Sequence, residues 1–143
     1  MHEASIRGIP PGFYSRAELE SWASGLHMDR YIWAMNFAEE RYVLAEVDGE
    51  GGNLAGFCSW LPAEVKGLYI HPAWLRRGVA GALMDHTEQA IVAAGAPRIR
   101  LSASRIARPF YEKRGYRTIR RLEWKSRGQL VMEAFAMEKA IRR

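Results

Sequence analysis

The chain contains one cysteine, Cys58, in 143 residues. A lone cysteine excludes an internal disulfide framework and a cysteine-built zinc cage, and a reducing cytoplasm is the simplest location for it. No stretch approaches about 18 consecutive apolar residues, so no membrane-spanning helix is expected. The opening residues lack a basic-then-apolar leader. There is no internal repeat, no low-complexity tract and no Pro/Gly/Ser-rich linker. Negative charge is in the minority, with 16 Asp+Glu against 21 Lys+Arg and a net charge of +5. That excess suits an anionic small ligand or nucleic acid.

Against these absences the remainder is ordinary. Hydrophobic residues make up 48% and charged residues 26%, as in a soluble globular protein rather than a disordered, collagen-like or rod-like one. The length suits one domain, residues 1–143, folding with roughly two-thirds of its unfolded surface buried. The arginines spread along the C-terminal half, at Arg76-Arg77, Arg98-Arg100, Arg105-Arg108, Arg120-Arg121 and Arg142-Arg143, with no basic run interleaved with aromatics.

Pro10-Pro11-Gly12 breaks structure, and Ser15 with Glu18 forms a capping box before a helix over 16–25. Asp29 caps a second short helix, 30–39. Strand composition over 42–47, a turn at 48–53 and a strand over 54–60 predict a hairpin. A third strand, 64–70, stops at His71-Pro72. The pattern then gives a helix over 77–94 with Val79, Ala82, Leu83, His86, Thr87, Ala90, Ile91 and Ala94 on one stripe and Gly95 at its C-cap. A strand over 98–102, a helix over 104–113 capped by Gly115, and strands over 116–124 and 130–138 complete the order. This is a mixed α/β (α+β) layer: helices on both faces of a largely antiparallel sheet.

The most informative stretch runs from Leu68 to Leu83. A strand leads through Leu75-Arg76-Arg77-Gly78-Val79-Ala80-Gly81 into a helix. The first amides of a helix have no intrahelical partners, and the helix dipole adds about half a positive charge there. Gly78, Ala80 and Gly81 let an anion approach the backbone, and Arg76 and Arg77 add guanidinium groups. The spacing is neither a P-loop nor a dinucleotide fingerprint. An Arg-Gly turn opening an amphipathic helix also occurs as plain surface.

This stretch resembles the GNAT superfamily of acetyl-CoA-dependent N-acetyltransferases, whose Arg/Gln-x-x-Gly-x-Gly/Ala loop follows a strand. Leu75-Arg76-Arg77-Gly78-Val79-Ala80 falls on that pattern, with Leu75 where the family has Gln or Arg. Ser104-Arg105-Ile106-Ala107-Arg108-Pro109-Phe110-Tyr111-Glu112-Lys113-Arg114-Gly115-Tyr116 is similar to a second motif of the family. Tyr14-Ser15, Leu19, Trp22-Ala23 and the Arg127-Gly128 turn resemble the YafP-like branch. Against that branch Ala4-Ser5-Ile6-Arg7 aligns late in the first helix, which implies either that the gene start is misplaced or that the first strand of the fold is missing. The strand over 42–47 is then an exposed edge suited to a homodimer.

The resemblance implies acetyl-CoA as co-substrate, an amine acceptor on a small molecule or peptide terminus, and no metal. It places the pyrophosphate on Arg76, Arg77, Gly78, Val79, Ala80 and Gly81. It lays the pantetheine along the backbone of Leu68, Tyr69 and Ile70 and beside Ser104 and Ala107, with N-capping an equal role for Ser104. Tyr111 is the acid at the coenzyme sulfur, and Glu64 the base. His27, His71 and Glu46 are weaker candidates, His71 reading better as a turn residue. Trp22, Phe57, Trp33, Trp60 and Trp124 are candidate pocket walls, and most suit the core better. Two other classes stay open: an acetyltransferase acting on a nucleic-acid-linked amine such as aminoacyl-tRNA, and a non-catalytic coenzyme A sensor or interaction module.

Overall fold

The computed structural model describes residues 40–46, 54–125 and 130–142. The expected helices over 16–25 and 30–39, and the question of a missing first strand, lie outside the described residues.

Six strands form one sheet in the order β1-β2-β3-β4-β6-β5. Strand β1 is Arg41–Glu46, β2 Leu54–Leu61, β3 Glu64–Ile70, β4 Arg98–Ser104, β5 Arg117–Lys125 and β6 Val131–Ala140. Every neighbouring pair is antiparallel except β3 with β4. A parallel pair needs a crossover, supplied here by helix α1, Val79–Ala93. A shorter helix α2, Arg108–Lys113, joins β4 to β5.

Both described helices lie on one face of the sheet. Trp60 of β2 meets His86 of α1 edge-on at 6.0 Å, and Trp60 faces Val65, which faces Leu101. Leu101 pairs with Met137 and Ala103 with Phe135, and Arg108 of α2 stacks 4.4 Å over the Phe135 ring. The core fills the space between, with Met84, Ile91, Ile99, Met137 and Cys58 its most deeply buried members. Strand β2 is buried at almost every position.

The structure rotates the predicted stripe of α1. Leu83, Met84, Thr87 and Ile91 are buried, whereas Ala82, His86 and Ala94 are exposed. Small alanines gave the pattern two plausible faces, and the larger Met84 decides which one turns inward. The helix expected over 104–113 begins later. Ser104 still pairs with Ala134 in the sheet, and residues 105–107 turn before Pro109 enters the first turn of α2, where a missing N–H costs nothing. Ala94 is the C-cap of α1, with Gly95 following at a φ of 96°.

Gly56 lies under both the neighbouring strand β3 and Leu83 of α1, whose Cδ1 would be 3.3 Å from an added Cβ. A Cβ there would stand 2.7 Å from the Tyr69 carbonyl oxygen and 2.8 Å from Cδ1 of Ile70. Gly56→Ala is therefore expected to destabilise by about 1–3 kcal/mol through overpacking, read as a lower urea midpoint at unchanged m.

Burial pushes the Cys58 thiol up from 9.0 to about 11, with Glu88 adding to the rise and Thr87 partly offsetting it. The fold holds this thiol neutral while the unfolded chain ionises it, so the unfolded state binds fewer protons. The contribution is complete below pH 9 and lost as pH rises to about 11. The free energy of unfolding should fall across that window, and Cys58→Ala should flatten part of the fall.

Candidate functional site

Strands β3 and β4 register at only two pairs, Glu64↔Arg100 and Val65↔Leu101. The Arg100 amide anchors the join by donating to the Ala63 carbonyl at 2.9 Å. Beyond it the strands part: β3 continues along β2 as far as Ile70, and β4 continues along β6 as far as Ser104. Lys66 is an extra residue in β3, since Trp60 faces Val65 and Ser59 faces Gly67. Such a bulge bends its strand and re-aims the residues beyond it. Among the described residues, the facing edges of 66–70 and 102–104 have no ladder partner. A wedge of this kind accepts an extended, amide-bearing chain as an added strand. Leu68, Tyr69 and Ile70 lie along one side of it, and Ser104 ends the other.

At the top of β3, a short 3-10 turn, Pro72–Trp74, is capped by His71, whose Nδ1 accepts from the Ala73 amide at 3.1 Å. His71 is thus a turn residue. The loop to α1 then takes two left-handed residues, Arg76 at φ 61° and Gly78 at φ 80°. For an arginine that conformation costs roughly 1 kcal/mol, and such strain gathers at functional loops. A Cβ on Gly78 would meet nothing within 4 Å, so backbone freedom rather than space calls for glycine there. Helix α1 starts with no side-chain cap and no acidic residue in its first turn. Its own ladder begins with the Ala82 amide on the Gly78 carbonyl. The amides of Val79, Ala80 and Gly81 therefore point out of the helix end unpartnered by it. Arg76 and Arg77 are exposed, and the Arg77 guanidinium stacks 5.1 Å from the Trp74 ring centroid.

Tyr111 is the buried residue of α2, T-shaped against Phe110 at 5.2 Å and Tyr116 at 5.6 Å. Burial first, and Cys58 and Tyr69 next, hold its phenol well above the usual tyrosine range, with Arg114 partly offsetting. It is a proton-bearing donor at any neutral pH. Ala107 precedes α2 as its N-cap, and the Ser104 hydroxyl accepts from the Ala107 amide at 3.3 Å. Ser104 therefore closes the turn that precedes α2 and does not cap the helix, whose N-cap Ala107 has no side-chain cap.

Glu64 opens β3 with its side chain 40% exposed and Lys66 Nζ at 3.4 Å. It is paired at a mouth rather than buried among aromatics. Glu46 ends β1, exposed, opposite Leu54. Phe57 is buried, with Tyr42 at 6.1 Å and Tyr69 at 5.3 Å, as an aromatic row on the face of the sheet away from α1. Trp60 faces α1 and belongs to the core. Trp124 stands on β5 opposite Met132. His27, Trp22 and Trp33 lie outside the described residues. A separate hollow of about 700 Å³ sits at the far end of α1, between Glu88, Val92, Lys139 and Ile141, and includes none of the expected site residues.

Sequence reading missed the fastener behind Tyr111. Glu88, with its side chain 12% exposed, takes Arg114 at 2.5 Å, the Tyr116 hydroxyl at 2.9 Å and Lys139 at 3.3 Å. Arg114 also reaches Asp85 at 2.7 Å. This network ties α1 to the turn after α2 and to β6. Burial and Glu88 together raise the Tyr116 phenol above its ordinary value. A glutamate one position from a buried threonine carried a weak signal, because its partners lie 26 to 51 residues away. No group of His, Cys, Asp and Glu suited to a metal occurs among the described residues.

Residues 38–118 match the model of the acetyltransferase (GNAT) domain. An uncharacterized N-acetyltransferase of Escherichia coli, YafP, is 26% identical over 115 residues, which is 80% of this chain and 69% of that protein. A GCN5-related N-acetyltransferase from Rhodopseudomonas palustris superposes with a TM-score of 0.87 at 28% identity, over 98% of this chain and 85% of that one. The PaiA N-acetyltransferase of Thermoplasma acidophilum, solved with coenzyme A, has a TM-score of 0.70 at 20% identity, over 98% of this chain and 88% of that one.

Proposed function

The chain belongs to the GNAT acetyltransferases, and we propose that it moves the acetyl group of acetyl-CoA to a primary amine of a small molecule or peptide terminus by direct attack in a ternary complex. The observation that carries this reading is the wedge between β3 and β4 running into an uncapped helix start. An acyl-pantetheine diphosphate has that same order of parts: a thioester, an amide-bearing arm and a doubly anionic pyrophosphate. The pyrophosphate takes the amides of Val79, Ala80 and Gly81, with Arg76 and Arg77 outside it. The arm pairs with Leu68–Ile70, and Ser104 and Ala107 flank it. One backbone N–H of this strand holds the thioester oxygen as it gains negative charge.

Glu64, directly or through a water molecule, takes one proton from the acceptor ammonium. The freed amine forms the C–N bond, and the C–S bond breaks. Tyr111 donates a hydrogen bond to the departing sulfur, and the second proton of the nitrogen reaches that sulfur through solvent. An amide and a thiol result, with one proton released. A phenol held above its usual range is a poor acid toward a thiolate but a good hydrogen-bond donor to one. Two finer readings go with this one: a cytoplasmic location, which a free buried thiol suits, and a homodimer on the outer edge of β1, the end strand of the described sheet.

Coenzyme A binds only the folded state here, so a hundredfold excess over Kd should add roughly 2.7 kcal/mol. That is a rise of several degrees in Tm for a domain this size. Gly78→Glu should abolish the rise, because it sets a carboxylate where the pyrophosphate sits; a full shift in that variant would remove the loop from the site. Tyr111→Phe should lower kcat by about 10- to 100-fold with KM for acetyl-CoA little changed. An unchanged kcat would take Tyr111 out of the chemistry.

A further inference from the structure

We propose that the acceptor is an amine bearing its own anionic group, the carboxylate of an amino acid or the phosphate of an aminoalkyl phosphate, and that Arg100 binds that group. The proposal rests on the reading of Glu64 as the base beside the acyl-donor wedge.

Glu64 and Arg100 are register partners at the point where β3 and β4 part. Partners in a parallel pair carry their side chains to one face, about 5 Å apart at the backbone. A carboxylate suited to an ammonium and a guanidinium suited to an anion thus stand side by side at the mouth. The surrounding face leans positive. Its carboxylate on β6, Glu138, is shared by Arg98 at 3.6 Å and Arg117 at 3.5 Å. Glu64 has Lys66 as its own partner. Arg120 reaches the same face, opposite Ala136, whose other neighbour Ser102 follows Arg100 at the next position on that side of β4.

Among the described residues, Arg100 and Arg120 make no ion pair with a carboxylate, and both side chains are exposed. A guanidinium fork left open takes a carboxylate or phosphate by two parallel hydrogen bonds, which a primary cation or a neutral amide cannot replace. On the other side of Glu64, Tyr69, Phe57 and Tyr42 continue along the same face, because Leu61 pairs with Glu64 and Ser59 with Gly67. The anionic group keeps its charge through the reaction; Arg100 holds it while the neighbouring nitrogen loses its protons and forms the C–N bond.

The test is initial-rate acetylation by the full chain at fixed acetyl-CoA with phenylalanine, phenylalaninamide, 2-phenylethylamine, 2-aminoethyl phosphate and spermidine. At least one anionic amine should exceed its neutral or cationic counterparts in kcat/KM by about tenfold or more, as for a site built to pair a group that the analogue lacks. A carboxylate source favours phenylalanine, and a phosphate source 2-aminoethyl phosphate. Arg100→Ala should erase the preference through KM, Arg100→Lys should restore part of it, and both should keep the thermal shift with coenzyme A, which reports an intact fold. Transfer to phenylalaninamide or spermidine as fast as to the anionic amines, or a preference that survives Arg100→Ala, overturns this proposal and leaves the acetyltransferase reading standing. Coenzyme A binding with no transfer to any amine overturns both.

Discussion

Everything at the site depends on a pairing that stops early. Two parallel strands that register at only Glu64↔Arg100 and Val65↔Leu101 leave backbone donors and acceptors facing each other across a gap, and such groups are costly when buried without partners. The fold bears this because each strand keeps its other edge fully paired, β3 with β2 and β4 with β6. The Lys66 bulge bends β3 at the point of departure. A ligand able to behave as a strand completes the hydrogen bonding that the sheet leaves open.

Two features hold this gap to a defined shape. At its wide end, Arg76 and Gly78 both adopt left-handed backbone, which turns the chain sharply enough to aim the start of α1 at the opening. At its core side, Glu88 draws Arg114, Tyr116 and Lys139 together. Breaking one member of such a network costs more than its net contribution suggests, because the others are left partly buried and unpaired. The Tyr116 ring held by this network stands against Tyr111. The position of the phenol is thus set by a carboxylate on another helix, and Phe110 also packs edge-on against its ring.

Much of this was legible in the sequence. The strands expected over 54–60 and 64–70 follow from aromatic and β-branched residues between the turn ending at Asn53 and the stop at Pro72, and the first runs one residue further, to Leu61. The helix expected from residue 77 starts two residues later, at Val79 after Gly78, while Gly95 and Gly115 follow helix ends with positive φ. The buried face of α1 was misread because Ala80, Ala82 and Ala90 fit either side of a helix. The start of α2 was misread because a serine that suits a helix cap also makes a good last residue of a strand. Arg100 could not be singled out, since it is one of many arginines until register sets it beside Glu64. Nor could Glu88, whose partners are brought together by the sheet alone.

The central claim is that the wedge and the start of α1 form one continuous site for a coenzyme A ester. Amide chemical shifts of the 15N-labelled protein titrated with coenzyme A test it most directly. The account predicts the largest changes at Leu68, Ile70, Val79, Ala80, Gly81 and Tyr111, saturating together with one Kd. Changes centred instead on Val92, Lys139 and Ile141 at the far hollow, or no saturable change, would contradict it.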